Sequence, residues 1–587
     1  MPLEISLKPK PVLDPRGEPT IKPIKLATRP STLKGKQVLF FDNGKLAQEF
    51  GGYGLIFQRL EQRLTDLGVG KFPRAEMDLL GWTPDTIGKA SSLVPKDVDA
   101  VVIALCDSGI TQPTMLLARA IEERGLPAVV ICTDTGVALA AAIAQTYVRG
   151  VPLCVVKTTR AATEEMMYQQ ADAIFADIVE GLTATQKQLM GKFSAQKWLP
   201  QMTLKAPRPG ELHPSREKKV KASPARGRLD LELDPAVFAE EFYEACCDSS
   251  LSDGFPVIPP TAERVESMLR YTDRSRQQAL TGECTPSGAR VTVEKLAVNA
   301  VMAGCRPEYF PILITAFEAM AETRYRLAQA AITSHSSGNA VVISGPLAKE
   351  LDIHSGFGCM GPGFRANATI GRAITLTLIN VCRSIPGLSD LATFGTPAEY
   401  SYCFAENEAE SPWPAFHTDL YDAETTTITV HRCESPHNII DHVSVGPESL
   451  LGSIASVAAT LGGNNAYVPA ELLVFLNPEH ARIIADAGWS KHDIKLFLYD
   501  NARSLESDLR GRGIVPKRPR WMNSALEVPV VRGPHEILVF VAGGAGLHSV
   551  VGVPWGFAGA VTRPVTFKDG RPVQSVKQFT TNRRRKM

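Results

Sequence analysis

The stretch VDAVVIALCDSGITQPTMLLARAIEERGLPAVVICTD (98–134) decides the fold of the first half of the chain. Two short apolar runs, AVVIALC (100–106) and AVVICT (128–133), flank a segment of helical periodicity that Gly125 stops. Strands that are apolar along their whole length are buried on both faces and belong to a parallel sheet covered by helices. The alternation continues outward. VLFFD (38–42) precedes a helix with Leu55, Ile56, Leu60, Leu64 and Leu67 at helical spacing, GVALAAAIAQTYVRG (136–150) reads as another helix, and VPLCVV (151–156) as another strand. These elements predict an open, flavodoxin-like α/β domain over 35–195, with ligands bound beyond the carboxyl ends of its strands.

Composition bounds the rest. The 587 residues carry 63 Lys and Arg against 62 Asp and Glu, a net charge of +1 that argues against a nucleic-acid binder. No apolar run is long enough to span a bilayer, and the N-terminus has no apolar core of a secretory signal. The 11 cysteines, an odd number, read as free thiols in a cytoplasmic chain. Residues 1–34, rich in Pro and Lys, are expected to form a flexible arm, 196–230 a basic Pro-rich linker, and 576–587 a basic tail. Residues 231–575 are expected to form a larger C-terminal domain, α/β or α+β. Its helices include VEKLAVNAVMAGC (293–305), ANATIGRAITLTLINVC (366–382) and a pair broken near Gly488.

Cys106 ends a strand just before a helix begins. Backbone N–H groups and the positive helix end favour a thiolate there. In the turn that follows, Asp107 caps or acts as an acid, and Ser108 donates to a bound oxyanion. The alternative is a small buried cysteine that closes a strand.

The same stretch, 98–134, resembles the segment around the catalytic selenocysteine or cysteine of UGSC-like proteins, and FFDNGK (40–45) resembles their DN-x-K opening. Those proteins in turn resemble the selenoprotein B subunits of glycine reductase. The resemblance implies a nucleophilic Cys106 and a substrate site that includes Asp42, Asn43 and Lys45. The family motif reads Sec/Cys-Gly-Ser-Cys, whereas this chain has Cys106-Asp107-Ser108-Gly109 and so lacks the second thiol. Cys132 ends the next strand. If the two strands are neighbours, their spacing of about 4.8 Å permits a Cys106–Cys132 disulfide; the alternative, and the preferred reading, is that Cys132 is packing. Cys154 reads as core.

The second half offers loops suited to anions. HSGFGCMGPGFRANATIGRA (354–373) supplies Gly361, Gly363, Arg365, Asn367 and Arg372 for a carboxylate or phosphate, with Cys359 as a possible second nucleophile. AGGAGLHS (542–549) repeats the theme with Gly543, Gly544, Gly546, His548 and Ser549. It matches neither the Walker A nor the dinucleotide-binding pattern, so no NAD or ATP site is expected. His335 and His548 are acid–base candidates. His431, Cys433 and His437 are weak metal candidates whose spacing fits no common zinc pattern. Glu294, Lys295 and Asn299 face a pocket together or form an exposed stripe. Blocks over about 240–550, among them GPGFRANATIGRA and YCFAENEAESPW, resemble a bacterial domain that accompanies UGSC-like proteins, which implies an association and no mechanism.

The expected function is a thiol-dependent enzyme in which Cys106 attacks a small anionic substrate. Reductive C–X cleavage with an external thiol reductant comes first, as in glycine reductase. A redox-neutral lyase or transferase, or a non-catalytic thiol- or metal-binding subunit, is the alternative. A homo-oligomer or a larger complex is expected, with no nucleic-acid or membrane partner.

Overall fold

The computed structural model describes residues 12–22, 24–45, 52–79, 81–107, 109–158, 163–193, 198, 221–222, 228–230, 238–512, 526–556 and 558–584. Most of the expected basic linker lies outside them. The first half runs β1 (Val38–Asp42), α1 (Gly54–Asp66), β2 (Arg74–Glu76), α2 (Pro84–Ser92), β3 (Ala100–Cys106), α3 (Thr111–Glu123), β4 (Ala128–Thr133), α4 (Val137–Tyr147), β5 (Leu153–Val156) and α5 (Glu164–Thr183). Its five strands are all parallel, in the order β2-β1-β3-β4-β5. This is the flavodoxin-like order, with its topological switch between β1 and β3.

The alternating pleat sends side chains to two faces. Leu39, Phe41, Val101, Ile103 and Val130 pack beneath α2, α3 and α4. Val38, Phe40, Val102, Val129 and Ile131 pack beneath α1 and α5. Each such side chain contributes about 1.5–3 kcal/mol through burial, which explains why these strands are apolar up to their carboxyl ends. β2 and α2 had no apolar signature in the sequence. RAE (74–76) is an edge strand with Arg74 and Glu76 exposed, and α2 is short.

The second half is also α/β, with mixed sheets. The strands of its two four-stranded sheets are β6 (Gly338–Ser344), β7 (Tyr402–Ala405), β8 (Thr427–Cys433), β9 (His437–Ile440), β10 (Leu472–Leu476), β11 (Ile537–Val541), β12 (His548–Gly552) and β13 (Val561–Pro564). One sheet has the order β7-β6-β8-β13 and the other β9-β12-β10-β11; each contains a single parallel pair, β6 with β7 and β10 with β11. Helices α6 (Val293–Ala303), α7 (Phe310–Met320) and α8 (Arg365–Thr377) supply much of the core against the first sheet. The helix pair expected around Gly488 is present as Pro478–Asp486 and Lys491–Asn501.

Residues 12–22 and 24–34, which the sequence placed in a flexible arm, are held as a strap across both halves. Leu13 N–H donates to the Pro260 carbonyl, and Thr20 N–H to that of Gly288. Lys295 Nζ donates to the Asp14 carbonyl at 2.8 Å and Asn299 Nδ2 to that of Pro15 at 3.2 Å. The polar stripe on α6 therefore grips the strap. Further along, the Arg29 guanidinium meets Glu122 with both side chains buried (2% and 0% exposed). Ala27 N–H and Ala128 N–H donate to the same carboxylate, each within 2.8 Å. The expected tail forms a helix over Lys577–Arg584, with Phe579 buried against Phe567.

A buried ion pair broken on one side leaves an uncompensated charge. Arg29→Met is expected to destabilise the protein by about 3–5 kcal/mol in urea denaturation. The double variant Arg29→Met/Glu122→Leu should lose less than the single one. Equal losses would show that the pair is not what holds the strap.

Candidate functional site

At the switch point, the ends of β1 and β3 project past the sheet into one polar group. The DNGK turn (42–45) is shaped by Gly44, whose φ of +91° and approach to Asp78 leave no room for a Cβ. Asn43 is buried: its amide nitrogen donates to the Leu105 carbonyl at 2.9 Å and to Thr114 Oγ1 at 2.6 Å. That fixes β1's end against β3 and the start of α3. Lys45 Nζ then pairs with Asp107 at 3.0 Å, both side chains about a quarter exposed. Asp42 Oδ1 accepts from Gly44 N–H. Ser108 lies outside the described residues.

Cys106 sits beneath this rim. It is fully buried, its Sγ 3.9 Å from the Thr111 carbonyl under the first turn of α3. Strands β3 and β4 are neighbours, and Cys106 and Cys132 are register partners. Burial first, and then the adjacent Cys106 thiol, hold Cys132 well above the ordinary thiol range. Cys154 is buried on the opposite face of the sheet, in the core under α1 and α5. Gly136 closes the floor: a Cβ there would lie 2.6 Å from the Cys106 carbonyl oxygen.

One part of the rim was missed by the sequence reading, which stopped at Cys132. Thr133 Oγ1 donates to the Cys106 carbonyl at 3.3 Å and contacts Thr135 Oγ1 at 3.0 Å. Thr135 Oγ1 contacts Thr158 Oγ1, which donates to Asp134 at 2.6 Å. That hydroxyl bond lowers the Asp134 carboxyl. The signal was the TDT run (133–135) directly after an apolar strand.

The second-half candidates gather into separate groups. Arg372 is bidentate to Asp253 at 2.6 and 2.7 Å, and Arg365 donates twice to the Gly304 carbonyl. Asn367 ties the glycine loop together through the His354 amide and the Cys359 carbonyl. Cys359 is buried, and that burial pushes its thiol up. Gly361 and Gly363 stand exposed in the turn that enters α8.

The two glycine loops meet, Gly543 N–H donating to the Ser355 carbonyl at 2.8 Å and Gly544 packing on the Phe357 ring. The anion-binding backbone expected there holds the chain's own carboxylate. Gly546 N–H and Leu547 N–H donate to Glu479 at 2.7 and 3.0 Å. Ser549 is buried and hydrogen bonded to His480, while His548 contacts Asn438 at 3.2 Å and lies edge-on to His442.

His335 and His437 both bind Glu434, at 2.9 and 3.1 Å. Burial alone would raise this carboxyl, but the two imidazoles bring it down to about 2. His431 is bonded to the Glu471 carbonyl and pushed down to about 3 by burial; Cys433 is pushed up to about 12 by burial. Among the described residues, no group of three or more His, Cys, Asp or Glu is placed to hold a metal ion. No helix among them is long and apolar enough to cross a membrane.

A family model described as the UGSC family matches residues 11–184, the strap and nearly all of the parallel-sheet region. That part of the chain is similar to this family. No curated protein and no solved structure matches the chain.

Two outcomes follow from this geometry. Gly136→Ala forces a methyl against backbone and should cost about 1–3 kcal/mol in urea denaturation while speeding Cys106 alkylation, because the turn above the thiol must shift. Unchanged stability would contradict the close approach. Glu434 has a depressed carboxyl, so its stabilisation is present above about pH 4.5 and is lost as pH falls toward about 2. Glu434→Gln should be less stable at neutral pH and lose less over that acid window.

Proposed function

We propose that the first half carries out thiol-dependent reductive cleavage of a C–X bond α to a carboxylate, with Cys106 as nucleophile and Cys132 as the resolving thiol. The observation that supports this is the pairing of the two thiols across β3 and β4, directly beneath the Lys45–Asp107 pair at the carboxyl edge. A parallel pair at about 4.8 Å lies within the Cα range that a disulfide spans.

Lys45 attracts the substrate carboxylate in exchange for Asp107. Cys106 Sγ, as thiolate, displaces X⁻ and forms a thioether to the α-carbon. Cys132 Sγ then bonds to Cys106 Sγ as the S–C bond breaks, and the Cys132 thiol proton passes to the departing carbon. Its raised pKa keeps that proton on the thiol until the S–S bond forms. The products are R–H, X⁻ and a Cys106–Cys132 disulfide, which an external dithiol reduces to restore both thiols. Because Cys106 is fully covered, the first turn of α3 must lift for the substrate to reach it.

That burial also favours a second reading. Cys106 and Cys132 share one hydrophobic cluster with Ile110 and Met115, so the thiols would be packing and the rim a non-covalent anion site. Peptide-resolved alkylation separates the two. Iodoacetate is itself an α-halo carboxylate, whereas iodoacetamide is its neutral counterpart. The catalytic reading predicts a preference for iodoacetate at Cys106, absent at the other cysteines and reduced about tenfold by Lys45→Ala, the loss of one charge-assisted contact. A Cys106 inert to both reagents in the folded protein supports packing.

A further inference from the structure

A cavity of about 630 Å³ lies between the halves, within the usual size range of small-molecule sites. One wall is the outer face of α3, where Gln112, Leu116, Arg119, Ala120 and Glu123 follow at helical spacing. Cys106, at the end of β3, packs beneath the inner face of the same helix, so the two places are distinct. Opposite stand Thr285 and Met320 from the second half, with Trp82 to one side.

The polar groups of this cavity are incompletely matched. Gln112 is 3% exposed, and its amide nitrogen donates to Thr285 Oγ1 while its amide oxygen has no hydrogen-bond partner. Turning the amide over leaves the nitrogen unmatched instead, so one polar atom is left over in either orientation. Trp82 Nε1 is a second buried group without a partner. An unmatched buried polar group costs about 1–3 kcal/mol, a cost that a ligand able to bond both would remove.

The charges on the walls are largely settled internally. Arg119 pairs with Glu123 at 2.7 Å, Arg290 with Glu283 at 3.4 Å, and Glu322 with Arg563 at 2.8 Å. Such walls call for a neutral occupant. Leu116 and Ala120 offer it an apolar bed.

We propose that this interdomain cavity is a second binding site, for a small neutral molecule with an aromatic or aliphatic body and a carboxamide-type end. The carboxamide carries both a donor and an acceptor, so it answers Gln112 in either orientation and supplies an oxygen to Trp82. Occupancy joins helices of the first half to loops of the second, so the ligand stabilises their association.

Benzamide is the test compound, with benzoate and toluene as comparators, on the full chain by calorimetric titration and ligand-observed NMR. Benzamide is expected to bind more tightly than either, with magnetisation transfer from the Leu116 methyls. Gln112→Leu and Trp82→Phe should each weaken it about tenfold, and Leu116→Trp, which fills the cavity, should abolish it. Cys106→Ser should leave it unchanged, which keeps this result separate from the thiol chemistry. Tighter binding of benzoate, the anionic comparator, overturns the assignment. So does equal binding of toluene, no binding of benzamide, or binding that survives Leu116→Trp.

Discussion

The Arg29–Glu122 ion pair is the constraint on which the arrangement of the first half depends. A single carboxylate at the end of α3 receives the guanidinium, the Ala27 amide of the strap and the Ala128 amide that opens β4. It thus aligns the strap, the helix over Cys106 and the strand that carries Cys132. Charges buried this deeply are tolerated only when all their bonding capacity is used. Continuing toward the N-terminus, the strap passes to the second half, where Lys295 and Asn299 hold its carbonyls and Asn380 in turn bonds Asn299 at 2.7 Å.

The parallel sheet was legible because its strands state their burial in every residue. VLFFD, AVVIALC and AVVICT leave no polar face, and the helices between them keep their periodicity. The DNGK turn came only from the resemblance; a flavodoxin-like order places β1 and β3 side by side, and this brings Lys45 to Asp107. The strap was not legible, because its contacts are made largely by backbone carbonyls and amides that carry no side-chain signature. Nor were the second-half sheets, which pair residues as far apart as Val430 and Val561. No local pattern encodes such pairings.

The glycine loops show how a correct physical rule can find the wrong ligand. Exposed backbone amides next to glycines do attract an anion, and in the 542–547 loop that anion is Glu479. Arg372 is likewise a bidentate carboxylate clamp, and its carboxylate is Asp253. The sequence shows which groups can bind an anion; only the fold shows that the chain has already supplied one. Lys45 differs from these, because its partner Asp107 lies on the partly exposed rim above the paired thiols.

The central claim is covalent chemistry shared between Cys106 and Cys132, and single-turnover reaction with bromoacetate and a dithiol tests it most directly. The account predicts that the native protein releases acetate and bromide, while Cys132→Ser stops at a carboxymethyl group on Cys106, seen in the peptide mass. Acetate release that survives Cys106→Ser, or a Cys132→Ser protein that turns over like the native one, would contradict it.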